Sequence, residues 1–385
     1  MTSDVLILGA GIIGASIAWH AARAGMTVTV VDPRGPNATP GATWASAGGL
    51  RSQGRAPAEA PLTRAAALRW PNLGEELDAD LEARFGGHLH VAEQEGEIPA
   101  IEARITADFA NGLAVERVDT AAIREIAPTL SSRVLAGAYT AGDGQAHPGR
   151  TAEAFLAAAA RLGVDLRYGE AAEPVVVAGR VTGVRLASGE TVGGGTVVLA
   201  AGAWSIALLH GLGLDLPIRW RGLQMLLSDV APPLLAPTVT GVGRNLSLKQ
   251  SPSGQLMIGG RWWARPQADA PGAEPIDGHT ARQWSGAVAI LPDMARLRLA
   301  QAWAGVEAQS IDWLPFIGRS PLAGLYLATG FSTHGFQTAP AVGELVAADL
   351  AGRPAPELAP FAPARAAGLA DATRIAAFRA EGYLL

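Results

Sequence analysis

The sequence predicts an α/β chain: a Rossmann-like nucleotide-binding domain with an interleaved, β-sheet-based α+β domain. Three observations carry this. An apolar strand, a glycine-spaced turn and a helix open the chain. Strand-like and helical runs alternate again between Thr151 and Leu209. Between Pro217 and Trp303, strand-like segments and Pro/Gly turns recur around Trp220, Trp262, Trp263 and Trp284, a different texture that suggests a second domain.

The opening reads as βαβ. Val5-Leu6-Ile7-Leu8 is a short apolar strand, Ile12 to Ala24 has helical apolar spacing, and Gly25 supplies a stop. Thr27 to Val31 is β-branched and ends at Asp32. Val5 to Ala22 has no Lys, Arg, Asp or Glu, as a membrane span or signal peptide would, but Asp4 precedes it and three glycines interrupt it. A buried strand, turn and helix is the expectation, in a soluble, cytoplasmic protein without a membrane span.

Arg34 to Gly54 is too long to be a bare connection and is read as a functional loop. Leu62 to Leu81 is an amphipathic helix with Leu62, Leu68, Trp70, Leu73 and Leu77 as its apolar candidates. A strand at Leu89-His90-Val91 and a helix at Ile98–Gly112 follow. Thr151–Leu162 is an Ala-rich helix and Val164–Arg167 a strand. Val175–Val177 and Val181–Leu186 form a hairpin. Thr196–Ala200 is a buried strand, Trp204–Leu209 a helix, Pro340–Leu350 a helical tail, and Gly352–Pro363 a Pro-rich surface chain.

Composition narrows the function. At ~100–200 residues per domain, 385 residues make two units, or one large α/β unit with an insertion. Hydrophobic residues are 49% and charged residues 17%, against roughly 25% charged in an average soluble domain, so the chain can bury a large core. The net charge of −5 argues against a nucleic-acid footprint. Cysteine is absent, which excludes disulfides, thiolate nucleophiles, Cys-ligated metals and cysteinyl-linked cofactors.

Gly9-Ala10-Gly11-Ile12-Ile13-Gly14 has the dinucleotide spacing after a strand and at the start of a helix. Gly9 makes the turn, Gly11 lets a pyrophosphate approach backbone, and Gly14 lets helix pack on strand. Helix N-terminal amides, Ile12 among them, face the diphosphate. Asp32, at the end of the second strand, is placed to hold a ribose hydroxyl. The fingerprint alone does not choose between NAD and FAD, and an NAD-dependent Rossmann dehydrogenase stays open on it.

Further blocks follow in order: Ala45-Ser46-Ala47-Gly48-Gly49-Leu50-Arg51, Val197 to Trp204, Trp303-Ala304-Gly305 with Asp312 to Gly318, and Thr329 to Phe336 with Ala339 to Glu344. Together they resemble the D-amino acid oxidase/glycine oxidase superfamily of FAD enzymes. Within it they are most similar to the sarcosine oxidase β-subunit, opine oxidase and hydrogen cyanide synthase-like branch. The resemblance implies FAD-domain pieces near 1–85, 146–216 and 305–385, with a substrate domain in 86–145 and 217–304. It implies FAD contacts at Ala47, Gly48, Gly49, Val175 and Gly202, and at Gly330, Phe331, Thr333, His334, Gly335, Phe336 and Gln337. The helix beginning near Pro340 is implied to point its amides at the flavin. Gly305 stands where monomeric sarcosine oxidases attach flavin through cysteine, so the FAD is expected to be non-covalent.

The same resemblance makes Arg51 a candidate for the substrate carboxylate, a task suited to a bidentate guanidinium. Glu307 stands where glycine oxidase-like members carry arginine, inverting the charge. Thr333 replaces a second such arginine, and Gln337 replaces a lysine of monomeric sarcosine oxidases. Glu307 is therefore expected to receive a cationic or amino group, or to pair with a neighbouring arginine, and His334 and Gln337 join the substrate candidates. His88 and His90 share a strand face without a third ligand pattern, so no metal is expected. Lys249 is the only lysine, and no phosphate-transfer lysine loop or serine-nucleophile motif appears.

No side chain stands out as a catalytic acid or base. The implied reaction is oxidation of the C–N bond of an amine or amino acid (a secondary amine, opine-like compound or D-amino acid) to an imine by hydride transfer to flavin N5, followed by hydrolysis. Oxygen or another acceptor would take the electrons, and a homo- or hetero-oligomer is open. The alternative is an FAD-bearing subunit of a larger electron-transfer dehydrogenase complex, inactive alone.

Overall fold

The computed structural model describes residues 2–267 and 271–381. Two eight-stranded sheets organise them. In the first, Ser3–Leu8 lies between Val28–Asp32 and Thr191–Leu199, parallel to both. Asp165–Tyr168 extends one edge; Leu325–Thr329 and Phe316–Arg319 extend the other. The hairpin Ala172–Val177/Arg180–Leu186 branches from Thr191–Leu199. The central strand is apolar from Val5 to Leu8 because that stretch is covered on both faces. Ile7, Val30 and Val198 pack toward the helices, while Leu6, Leu8 and Leu199 pack on the other side.

Helix Ile12–Arg23 lies directly against helix Gly335–Leu350. A Cβ on Gly343 would stand 2.2 Å from Ser16 Oγ, and that hydroxyl donates to the Ala339 carbonyl at 2.8 Å. The stretch that mimics a membrane span is thus strand, turn and helix. Among the described residues no helix is long and apolar enough to cross a membrane.

The second sheet runs, edge to edge, Leu299–Ser310, Ile218–Val230, Gln255–Gly259, Ser247–Gln250, Thr238–Gly241, His88–Ala92, Ala136–Thr140 and Glu116–Asp119. Side chains alternate between its faces. Leu89, Val91, Leu226, Val239, Leu248, Leu256 and Ile258 form a core with Ala287 and Ile290 of helix Asp277–Ile290. The opposite face therefore carries His88, His90, Thr238, Thr240, Lys249, Met257, Met225, Trp303, Arg221 and Glu307. Their register agrees: Lys249 pairs with Met257, Met225 with Trp303, and Arg221 with Glu307. Trp303 Nε1 donates to the Ala45 carbonyl at 3.3 Å, which turns this face toward the 34–54 loop.

Three expectations need correction. Leu68 is 81% exposed: the buried stripe of helix Ala60–Leu77 is Leu62, Ala66, Trp70, Leu73 and Leu77, the three-and-four spacing that Leu68 breaks. The helix expected over Pro340–Leu350 begins at Gly335, because Phe336 and Ala339 are buried against helices Ala60–Leu77 and Ile12–Arg23 and extend the packed face backwards. Within the Pro-rich stretch, Leu358 and Phe361 are buried, anchoring chain expected at the surface into the first core.

Candidate active site

The nucleotide cradle is built by close backbone approach. Gly9 has φ 113°, and a Cβ there would lie 2.4 Å from the Ala200 carbonyl oxygen. A Cβ on Gly14 would meet the Gly9 carbonyl at 1.9 Å. Only glycine fits either position. Helix Ile12–Arg23 starts at Gly11 with no acidic residue in its first turn, leaving its N-terminal partial charge for an anion. Thr43 Oγ1 accepts the Ile12 N–H at 3.0 Å, binding the 34–54 loop to the same turn. Asp32 organises the other side: one oxygen accepts the Ala10 N–H at 2.9 Å, the second the Arg34 and Gly35 N–H groups at 2.8 and 2.9 Å.

The loop itself contains a short helix, Ala42–Ala45, and a strand, Gly49–Leu50, paired to Gly144–Gln145. Gly48 has φ 69°, and a Cβ there would strike the Ala146 carbonyl at 2.0 Å, so its glycine serves packing against 146–148. Gly49 and Gly202, in contrast, would carry a Cβ with no atom within 4 Å. Val175 is half-buried in the hairpin, opposite Gly183.

The segment 330–337 enters the long helix through a strained turn. Ser332 (φ 49°) and Thr333 (φ 71°) are both left-handed, costing of order 1–3 kcal/mol each for non-glycine residues. Ser332 Oγ accepts the Ser310 N–H at 3.0 Å and donates to the Gly330 carbonyl at 3.0 Å. Glu307 Oε2 accepts the Thr333 N–H at 2.7 Å. Glu307 is 8% exposed, and its Oε1 has no hydrogen-bond partner. Burial pushes its carboxyl up to about 8, against a smaller opposing pull from the Thr333 N–H and Arg221. Arg221 stacks on Trp263, 3.5 Å from the ring centroid to Cζ, and does not form an ion pair with Glu307.

A second polar group lies around His334. Its Nδ1 is 2.9–3.0 Å from the Glu59 carboxylate, and burial with nearby Arg55 holds the ring down to about 4, so it is neutral. Arg51 Nη1 donates to the Gln53 carbonyl at 2.7 Å; burial, with Arg55 and Arg104 close by, lowers its guanidinium to about 9. Arg55 in turn donates to the Arg51 carbonyl. Gln337 Nε2 donates to the Thr63 carbonyl at 3.0 Å, facing helix Ala60–Leu77. His88 Nε2 and His90 Nδ1 both meet Thr240 Oγ1, at 3.0 and 2.8 Å. Among the described residues no group of three or more His, Cys, Asp or Glu could hold a metal.

The structure thus brings together Gly9, Gly11, Gly14, Asp32 and the 42–50 loop, and separately Glu307 with Thr333. Arg51 and His334 share a charged neighbourhood with Glu59 and Arg55. Sequence reading did not single out Thr43, Glu59, Arg55 or Arg221. Thr43 was legible as the hydroxyl in a loop of small residues; the others are joined to the site only by tertiary contacts.

This cradle has the shape a dinucleotide needs, and comparison identifies which. The model of the FAD dependent oxidoreductase (DAO) family matches residues 4–349. The chain belongs to this family and is an FAD-dependent oxidoreductase of the DAO fold. It is 27% identical to the sarcosine oxidase subunit beta of an Arthrobacter species, covering 93% of this chain and 89% of that one. It is 30% identical to the glycine oxidase of Pseudomonas aeruginosa, covering 94% and 99%. Among solved structures it is similar to L-proline dehydrogenase from P. horikoshii (TM-score 0.86, 26% identity, 94% and 97% covered). Glycine oxidase from Geobacillus kaustophilus gives a TM-score of 0.84 at 26% identity, 94% and 98% covered.

FAD fits the residues present. The Gly9–Gly14 turn with the Ile12 amide and Thr43 would hold the diphosphate, Asp32 the ribose, and the backbone around Gly49, Gly202 and 330–335 the remainder.

Proposed function

We propose that this flavoenzyme oxidises the C–N bond of an amine or amino acid to an imine, which water then hydrolyses. Secondary amines, opine-like compounds and D-amino acids are the substrate class. When bound, FAD supplies the acceptor for the hydride. The observation that carries the reading is Glu307: a buried carboxyl with one oxygen committed to Thr333 and the other without partner, on the sheet face turned to the flavin loop. An unpaired polar atom buried at that depth is costly, and a substrate N–H donating to Oε1 satisfies it. A carboxyl near 8 holds its proton at neutral pH and becomes a proton acceptor for a substrate ammonium as pH rises through 8. Arg51, with only one side-chain hydrogen bond, supports a carboxylate on the substrate.

What this chain's residues supply is orientation and exclusion of water rather than an acid–base dyad. Relatives named glycine oxidase and D-amino acid dehydrogenase support the amino-acid class. Two relatives are named as subunits, which supports the second reading, an FAD-bearing member of a larger electron-transfer assembly. Turnover by the isolated chain with oxygen, against turnover only with an added partner or dye, separates the two.

A further inference from the structure

The only lysine of the chain sits in a place where lysine is expensive. Lys249 lies in the strand Ser247–Gln250 and is 3% exposed. Its neighbours in sequence, Leu248 and Gln250, face the other way: Leu248 packs into the core with Ile258 and Leu256, and Gln250 bonds the 231–235 and 254 backbone. By alternation Lys249 projects from the opposite face. There it shares a row with Met257 and Thr238 on the two neighbouring strands and, one strand further on, His88. Among the described residues its ammonium has no hydrogen bond and no ion pair. Every other buried cation has a partner: Arg55 the Arg51 carbonyl, Arg219 the Gln309 side chain.

Register also fixes what this face looks at. Trp303, on the same face, bonds Ala45 of the flavin loop. Gln145, paired to Gly49 in that loop, donates to the carbonyl of Gln250, the residue beside Lys249. Burial alone pushes the Lys249 amine down to about 7, with no carboxylate near enough to oppose it. The titratable groups on this face beyond the adjoining strand Thr238–Gly241 are His88 and His90 of the next strand, both held neutral by burial, and Arg51, Arg55 and Asp143 lie beyond them. A buried unpaired ammonium is retained at a cost unless something outside the polypeptide carries the compensating negative charge.

We propose that Lys249 is the cationic wall of the flavin pocket, a residue whose charge favours negative charge on the isoalloxazine side of the cavity. This inference rests on the family's FAD and not on which amine is the substrate. It predicts that neutralising Lys249 makes the bound flavin harder to reduce and less receptive to an anion.

The test uses the FAD-loaded protein and two neutral variants, Lys249→Met and Lys249→Gln. Sulfite affinity, read as bleaching of the flavin absorption, is measured alongside the midpoint potential against a reference dye. Both variants are expected to retain FAD, bind sulfite at least tenfold more weakly and show a potential lower by roughly 30 mV or more, the two-electron equivalent of tenfold. Without FAD, Lys249→Met is expected to melt above the wild type, because an unpaired buried charge is gone. Sulfite affinity and potential within threefold of wild type in both variants would overturn the proposal. So would loss of FAD from both, which makes Lys249 a structural residue. Neither readout uses an amine, so a failed substrate screen leaves this test intact.

Discussion

Glu307 holds the N–H of Thr333 at 2.7 Å, tying the edge strand Leu299–Ser310 to a turn whose residues Ser332 and Thr333 are both left-handed. One carboxyl thereby both restrains the entrance to helix Gly335–Leu350 and keeps an open oxygen. Its consequences separate by pH, by substitution and by substrate.

The first concerns stability. Folding raises the Glu307 carboxyl from 4.5 to about 8. Between those values the folded chain keeps a proton the unfolded chain has released, so this group's contribution is complete below about pH 4.5 and is lost as pH rises through 8. Glu307→Gln keeps an oxygen for the Thr333 N–H without the proton. Its melting temperature relative to wild type should climb steadily between pH 5 and 8.5; a constant difference across that range would show that Glu307 does not titrate there.

Glu307 also sets specificity. Glu307→Arg should lose the native substrate and gain activity on small carboxylates, while Glu307→Gln should raise KM more than it lowers kcat. The wild-type rise of kcat/KM through an apparent pKa near 8 should be absent in Glu307→Gln. Native kinetics in both variants would reduce Glu307 to a clamp on the 332–333 turn.

Asp32→Ala should weaken FAD binding ~10–100-fold, the equivalent of losing a charged hydrogen-bond partner at about 1.5–3 kcal/mol. Because Asp32 also holds the Ala10, Arg34 and Gly35 amides, the apo variant should melt a few degrees lower as well. Titration of apo-protein with FAD measures the first effect, and wild-type affinity would remove Asp32 from the site.

The flavin should be released by acid denaturation. A Cβ on Gly305 would stand 2.1 Å from Ala45 Cβ and 3.1 Å from the Pro40 carbonyl, so this position admits no side chain through which to link FAD. Gly305→Cys should destabilise the chain by overpacking, by about 1–3 kcal/mol, instead of creating a covalent flavoprotein. Colour that stays with the acid precipitate of the wild type would contradict this.

The nucleotide half of the site was legible because its constraints are local. Gly9, Gly11, Gly14 and Asp32 lie within one βαβ unit, whose strands are marked by an apolar run and a β-branched run and whose helix is marked by apolar spacing. What stayed hidden was assembled by long-range register. Nothing near Glu59 in sequence announces that it meets His334, 275 residues away. The pairing of Arg221 with Glu307 follows only from two strands lying side by side. Leu68 misled because it is apolar yet off the helix stripe, and Phe361 because proline-rich composition says nothing about one buried ring. The inverted charge at Glu307 was visible from resemblance, whereas its bond to Thr333 was not.

The most direct measurement is anaerobic mixing of the FAD-loaded protein with secondary amines, opine-like compounds and D-amino acids, with 2-hydroxy acids as controls, following flavin absorbance and products. Oxidation at carbon–nitrogen predicts bleaching by at least one amine, with a carbonyl compound and an amine or ammonia recovered in equal amounts to flavin reduced. Bleaching by 2-hydroxy acids alone, or by no amine while dithionite still bleaches, would contradict it.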